Sequence, residues 1–536
     1  VDADVDVIVV GAGPVGMTTA LLIAGRGYDV AIFEKWRDPY GLPRAVGMAG
    51  ETMRVLQQAG LSDAIGQVTE GSLAGETLKG EFLDREGEVL LTAPFVGSAC
   101  GWPSMAGFNQ PDLERYMDEM MMAHSRITVR RGVAVTRVTQ DDDMARVAFG
   151  PYRDDSEADD GGDEKVFSCR LVIGCDGANT TVRRFMDTEV FDLGFEYDWL
   201  VVDVLPHERR TWKPNLGMII DSERPVTIVP SGPPGRRRFE FMCKEGETPE
   251  EMNQAEVAWR LMAQWDLTPS NTDLVRHAVY TFRGLWAERW RDGRIVLAGD
   301  AAHLMPPFLA QGMNSGMRDA VALTWRADLV LSGRAPWAIL DDYGVERREH
   351  VRQIVEQAVE SGRMICITDP VIAAERDAFL KMARDDPAMG PPAPPEWLLG
   401  PGASLDNDPV SRRLGVQGRV QLDGKTGLLD DLIGGGRFQL LSRSGDPLEA
   451  LGTEARLAWE SLDGFAAQIG GNRLLDTEGI YTAWLQEKEI DTVLFRPDFY
   501  VYGSGTSVAD ADRLVLALAA QLRLIGSGAN IDASLS

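Results

Sequence analysis

Four short groups of residues in this 536-residue chain have the types and spacing to do chemistry. The first is Gly11, Gly13 and Gly16 in "VDVIVVGAGPVGMTTALLIAGRGYDVAIFEK", with Glu34 near its end. Glycines so spaced permit a tight turn and let backbone N–H groups approach a pyrophosphate, while the helix start behind them adds favourable partial charge. Glu34 falls where a ribose hydroxyl would be held, the alternative being a strand-end surface acid. A carboxylate there suits an unphosphorylated ribose. FAD and NAD both have one, so this motif does not choose between them.

The second group is Gly299-Asp300 in "IVLAGDAAHLMPPFLAQGMNSGMRDAVALTW". An aspartate at a strand end, followed by small residues, lets the backbone approach a polyol while the carboxylate accepts its hydroxyls. That suits the ribityl chain of a flavin. The third group, Gly312, Met313 and Asn314, would open the next helix with N–H groups able to stabilise negative charge on the N1/O2 edge of a reduced flavin. The fourth is Asp176-Gly177 in "CDGANTTVRR", with Arg183 on the helix expected after it. A capped helix start explains an aspartate turn equally well. It does not explain Pro306-Pro307 or the second glycine turn beside Asp300.

These groups need elements to position them. Residues 5–34 read as strand, glycine turn, helix and strand, the first strand short and β-branched as a buried parallel strand should be. "CRLVIGCDGANTTVRRFM" repeats strand, turn and helix. "QPDLERYMDEMMMAH" is an amphipathic helix. Between 187 and 285 β-type runs dominate, interrupted by one helix in "EEMNQAEVAWRLMAQW". Helices are expected over 316–332 and 335–368. Proline density in "DDPAMGPPAPPEW" marks a linker at 385–399. Beyond it, 400–536 reads as a smaller α/β unit with strands in "GRFQLLS" and "DTVLFRPDFYVYG" and a last helix in "VADADRLVLALAAQLRL".

Composition narrows the classes. Acidic residues outnumber basic ones, 82 to 54, for a formal charge of -28. That argues against nucleic acid or an anionic membrane as partner. Part of the excess is a local run, "DDSEADDGGDEK", read as a solvated loop. Five cysteines show neither CxxC nor zinc-ligand spacing, so neither disulfides nor a metal site is expected. No signal peptide and no bilayer-length apolar run is read, which makes the cytoplasm the expected location.

Taken together, the residues resemble the aromatic hydroxylase group of FAD-dependent monooxygenases, the p-hydroxybenzoate hydroxylase type. That group carries GxGxxG, a DG turn and a GD turn in this order, and the match runs from Asp6 to about Cys366. The resemblance implies an α/β fold: a Rossmann-like FAD-binding domain (1–186, with some strands of the second domain near 80–110, and 286–384) and an inserted β-sheet substrate domain (187–285). It implies a cofactor set of Gly11, Gly13, Gly16, Glu34, Lys35, Arg44, Gln110, Asp176, Gly177, Gly299, Asp300, Pro307, Gly312, Met313 and Asn314. "GWPSMAGFNQPDLE", "RRRFEFMCKEGE" and "FRPDFYV" are similar to segments of the 3-(3-hydroxyphenyl)propionate hydroxylases. In that subgroup the C-terminal unit is a thioredoxin-like domain without redox cysteines, and here no cysteine follows Cys366. "PPFLA" departs from the subgroup and borders the expected flavin and substrate, so it leaves the ring substrate open between a phenolic acid, another phenol and a polyketide-type aromatic.

The implied cycle uses bound FAD, NADH or NADPH as a transient reductant, and O2, which reacts through a flavin C4a-hydroperoxide to hydroxylate a phenol. The implied assembly is a homodimer. Catalytic candidates are His303, Arg238 and Tyr197, with Tyr280 beside them. His303 has a structural alternative, bonding to nearby backbone, and each tyrosine has one as a satisfied core residue. Strand alternation puts Arg236, Arg238 and Glu240 on one face and Arg237 on the other. Family analogy points Arg238 at flavin or substrate; a solvated sheet edge with an Arg-Glu pair is the alternative. Three other functions share part of this pattern. A flavin halogenase would carry WxWxIP, which "LWAERWRDG" does not match, and a disulfide reductase would need paired cysteines. A non-catalytic FAD-bound redox sensor fits less well with two aspartate turns and a full second sheet.

Overall fold

A computed structural model describes residues 3–70, 78–95, 97, 100–152, 164–390 and 396–525. Most of the acidic run at 154–165 and the prolines within 391–395 of the expected linker lie outside the described residues.

One eight-stranded sheet is built on five parallel strands in the order Ile295–Leu297, Lys165–Gly174, Val5–Val10, Val30–Glu34 and Ile127–Arg131. Val7 to Val10 and Val30 to Phe33 are buried, which is why these runs lack polar alternation. The helices Pro14–Ala24 and Gly312–Leu331 pack against each other. The arrangement places the loops after Val10, Glu34, Gly174 and Leu297 at the carboxyl ends of four adjacent strands. In open parallel sheets that is where ligands bind.

The second sheet has the order His303–Leu304, Thr272–Ala287, Val190–Pro206, Arg237–Met242, Val226–Pro230, Leu216–Ile219, Leu78–Leu83 and Val89–Phe95. Its strands thus come from 78–95 as well as from the region after 187. One face carries Leu200, Val202, Ile228, Phe239 and Phe241 and buries them against Ala258 and Met262. The opposite face carries Trp199, Val201, Asp203, Arg238, Glu240 and Arg276, and it meets the loops of the first sheet. The Arg237–Met242 strand lies inside the sheet with every residue buried, so it is no solvated edge.

Helix boundaries differ in three places. The helix expected at 316 begins one turn earlier, as Gly312–Leu331, and the next runs Ile339–Ile365. The single helix expected in "EEMNQAEVAWRLMAQW" is broken into Pro249–Met252, Ala255–Met262 and the 3-10 turn Ala263–Trp265. Gln254 is extended there, at φ -120 and ψ 140, so the first turn cannot propagate. A further helix, Pro370–Asp385, starts where Asp369 caps the N–H groups of Val371 and Ile372 with Pro370 at its first position.

The C-terminal unit holds a mixed four-stranded sheet in the order Phe465–Gln468, Gln439–Ser442, Thr492–Phe495 and Val501–Gly505. All five cysteines are free. A buried ionic cluster joins this unit to the helices of the first sheet. Glu346 Oε2 lies 2.6 Å from Arg326 and 2.8 Å from Arg496, and Arg496 lies 2.5 Å from Asp498. Trp325 donates its indole N–H to Asp498 at 3.0 Å. Arg54 pairs with Asp430 at 2.7 Å across the same boundary.

Two arginines share the Glu346 carboxylate, so neutralising it leaves Asp498 alone to balance both in a dry interior. Glu346→Gln is expected to lower unfolding free energy by about 3–5 kcal/mol, measured by denaturant titration of the full chain.

Candidate active site

The glycine loop is shaped by close approaches. A Cβ on Gly11 would overlap the Cys175 backbone, and one on Gly16 would overlap the Gly11 carbonyl. A Cβ on Gly13 would meet nothing within 4 Å, so the loop is open on that side. Glu34 closes the loop from the next strand, its carboxylate accepting from Ala12 N at 2.8 Å and Trp36 N at 2.9 Å. Lys35 stands over the rings of Trp36 and Tyr152.

The two aspartate turns sit beside it and are tied together. Asp176 accepts from Thr181 N at 2.6 Å and Val182 N at 3.1 Å, capping the short 3-10 turn Val182–Phe185 that stands where a helix was expected. Its other oxygen is buried without a partner, and burial pushes its carboxyl up. Arg183 reaches across to the Ala301 carbonyl at 2.8 Å. Asp300 itself makes no hydrogen bond to any described residue. Its side chain is open to solvent, yet surrounding protein pushes its carboxyl up against the pull of His303 and Arg44. A carboxylate in that position is free to take hydroxyl donors.

The Asp300 turn is held from behind by Asp319, which is fully buried. Asp319 accepts from Gly299 N at 2.9 Å, lies 2.8 Å from His303 Nε2 and takes the Arg347 Nε–H at 2.8 Å. Burial works against its ionisation, but Arg347 and His303 prevail and hold its carboxyl below the usual range. His303 is fully buried and stacked on Trp290 at 5.4 Å. Its partner is this carboxylate rather than the backbone expected for a structural histidine.

The helix after the turn begins with Gly312, Met313 and Asn314, whose N–H groups have no carbonyl one turn back within the helix. Asn314 is buried and fixes this start. It accepts from Ala49 N at 3.1 Å and the Thr52 hydroxyl at 2.6 Å, and donates to the carbonyls of Gly47 and Ala310. Arg318, paired with Glu51 at 2.6 Å, also donates to Gln311 just ahead of the helix at 2.9 Å.

Arg44 lies on an exposed loop, its guanidinium over Tyr40. Three buried side chains grip that loop. Gln110 accepts from Ala45 N at 2.7 Å and donates to Glu114 at 2.6 Å. Arg238 donates to the carbonyls of Pro43 and Arg44, and Arg276 donates to Pro43. Arg238 is also paired with Asp203 through Nε at 2.8 Å and Nη2 at 3.0 Å. Its fork is therefore spent within the protein. Arg237, on the other face, stacks on Trp212 and donates to Asn215, and burial pushes its guanidinium down to about 10.

The "PPFLA" turn carries Pro307 at the start of a 3-10 turn and buries Phe308. Phe308 meets Phe195, Trp199 and Phe282 edge-on, with centroids 6.2, 5.6 and 6.0 Å away. Tyr197 packs on Phe195 at 4.9 Å and Tyr280 lies under Arg276. An aromatic wall thus joins the flavin-type segment to the second sheet. Asp319, Arg347, Glu114 and Asp203 escaped sequence reading. Asp319 alone had a usable signal, an acid one helix face on from the Gly312 turn.

The arrangement can take an anionic, polyol-bearing group along the strand ends and a planar ring against the aromatic wall. The description of the FAD binding domain family matches residues 4–358, and that of the HcaD C-terminal domain matches 413–521. A probable NADH-specific resorcinol 4-hydroxylase of Rhodococcus jostii is 36% identical over 96% of this chain and 95% of its own. A 3-(3-hydroxy-phenyl)propionate/3-hydroxycinnamic acid hydroxylase of Mycolicibacterium gilvum is 32% identical over 92% of this chain and 88% of its own. Among solved structures, the flavin-dependent monooxygenase PieE, in complex with FAD and substrate, superposes with a TM-score of 0.81 at 19% identity, covering 97% of this chain and 100% of its own.

Two outcomes test this geometry. Asp319→Asn leaves Arg347 buried without its counter-charge and is expected to destabilise the protein by about 3–5 kcal/mol, read as a lowered unfolding midpoint. Burial pushes Glu114 up to about 7, above its unfolded value. Its contribution is therefore whole at acid pH and is lost as pH rises through about 7, a loss of up to about 3 kcal/mol. Glu114→Gln should lack that decline, so its stability gain over wild type appears at pH 8 and vanishes below about pH 4 in thermal melts.

Proposed function

The chain belongs to the FAD binding domain family, and from that premise we propose that it is a single-component flavoprotein monooxygenase that hydroxylates a phenol using NADH and O2. The observation that carries the proposal is the convergence of four loops at the carboxyl ends of four adjacent parallel strands, facing an aromatic wall on a second sheet. The residues fit FAD on their own chemistry. The loop at Gly13 is open where a pyrophosphate would lie, Asp300 has an exposed carboxylate that makes no hydrogen bond to any described residue, and the N–H groups of Gly312 to Asn314 are free of helical partners. When bound, FAD supplies the activated oxygen that enters the ring.

The chain's own residues do the rest. Glu34 takes ribose hydroxyls and Asp300 takes those of the ribityl chain. The start of the Gly312–Leu331 helix stabilises negative charge on the flavin ring. Gln110, Arg238 and Arg276 hold the Arg44 loop in place, and Asp319 with His303 holds the Asp300 turn. Phe195, Trp199, Phe282 and Phe308 give the substrate ring an apolar wall and keep water away from it.

NADH, rather than NADPH, follows the name of the Rhodococcus relative, and a phenol is the substrate class that both named relatives share. The reading keeps the domain division at 186, 285, 384 and 399 and a thioredoxin-like C-terminal unit that packs rather than reacts. A homodimer and residence in the cytoplasm complete it. Among the described residues no helix is long and apolar enough to cross a membrane.

Purified yellow protein given NADH and a phenol panel is expected to consume NADH and oxygen and release a hydroxylated ring. NADH oxidation that no phenol stimulates, with no product, rejects the hydroxylase. Asp300→Ala is expected to lose FAD on gel filtration while keeping its far-UV spectrum. Full retention of FAD would reject the role given to Asp300.

A further inference from the structure

The second sheet presents to the flavin side a face whose two ends are gripped by other segments and whose middle is buried but polar. At one end Phe308 of the flavin-type segment packs on Trp199 and Phe282. At the other, Arg238 and Arg276 reach the carbonyls of the 43–44 loop. Between them strand register sets Thr227, Glu240, Val201 and Ala278 side by side on four adjacent strands, all on this face.

That middle row is polar and unfinished. Glu240 is only 8 % exposed at its side chain, makes no hydrogen bond to any described residue, and has its nearest cationic atom, Arg238 Nη1, at 3.9 Å. Arg238 is already forked onto Asp203. The Thr227 hydroxyl, across the strand pair from Glu240, is buried without a partner. Arg276 spends one nitrogen on Pro43, while Nε and Nη2, the edge that makes paired hydrogen bonds, are both buried and unpartnered. Buried polar groups are rarely left unpaired, and an acceptor and a donor edge left open on one face call for a ligand that offers both. A phenol hydroxyl donates when neutral and accepts strongly once ionised.

Building on the hydroxylase reading, we propose that Glu240 is the catalytic residue that takes the phenolic proton and that the free edge of Arg276 holds the resulting phenolate oxygen. The O–H bond breaks, the proton moves to a Glu240 carboxylate oxygen, and the electron pair stays on the ring oxygen, which enriches the ring for attack on an electrophilic oxygen. Burial pushes Glu240 up to about 7, with Asp203 on the neighbouring strand adding to the rise and Arg238 and Arg276 opposing it. A general base works best when poised near the operating pH. Asp203, close by, is committed to Arg238 and serves as the counter-charge that leaves Glu240 free.

The test uses the FAD-loaded protein with resorcinol. Without NADH, binding followed by the flavin absorption change should tighten in wild type as pH rises through about 7, and should be flat with pH in Glu240→Gln. In turnover, Glu240→Gln should lose on the order of 100-fold in kcat with FAD content unchanged. It should also lose the acid limb near pH 7 and recover rate only toward about pH 10, where a free phenol ionises. Glu240→Asp should restore the limb. Wild-type kcat with the limb intact in Glu240→Gln, or identical pH dependence of binding in both proteins, overturns the proposal. A wild type that binds resorcinol but makes no product from any phenol defeats the hydroxylase reading instead, and the binding arm alone then decides on Glu240.

Discussion

The constraint on which the rest depends is the single buried carboxylate of Asp319. It takes one N–H from the turn that carries Asp300, one from the His303 ring and one from Arg347 of the next helix. A charge that deep is tolerable only when matched and fully bonded. Each partner is therefore held in one place, and the carboxylate of Asp300 stands free at the strand ends because a different aspartate does the structural work. The histidine beside it, the obvious candidate for proton chemistry, gives its Nε2 to that support, while its Nδ1 is buried without a hydrogen-bond partner.

The second sheet repeats the same division of labour. Arg238 and Asp203 neutralise each other, and with Arg276 they anchor the loop bearing Arg44. The Glu240 carboxylate, the Thr227 hydroxyl, the edge of Arg276 and the Trp199 indole N–H make no hydrogen bond to any described residue on that face, and of these Glu240 and Arg276 have proton and charge chemistry left to offer. On this face the paired groups hold structure, and the candidate site lies beside them. The C-terminal unit extends the logic. Arg326, Glu346, Arg496 and Asp498 form a closed, dry cluster that fastens it to the two helices behind the Asp300 turn.

Much of the scaffold was legible. Gly11 and Gly16 announce their turn because close backbone approach leaves no other residue type there, Gly13 completes the spacing on the open side, and Glu34 follows at the distance a strand and helix demand. Gly299-Asp300 and Asp176-Gly177 were legible as turns at strand ends. What escaped was pairing. Strand alternation placed Arg238 and Glu240 on one face, but no pattern along the chain reveals that Asp203, far away in sequence, would consume Arg238 and spare Glu240. The unexpected break at Gln254 and the unexpected helix from Pro370 are local failures of a different kind, since helix periodicity is blind to one extended residue and short-range caps are easily overlooked.

By itself the sequence determined the class of the protein: a dinucleotide-type turn, two aspartate turns in order, a β-rich insertion and an α/β unit after the linker. Those features depend on local backbone geometry and on periodic burial, which neighbouring residues dictate. Tertiary structure alone decided which carboxylates are spent and which are free. Ionisable groups act through partners a few ångströms away in space, and folding chooses those partners from distant parts of the chain.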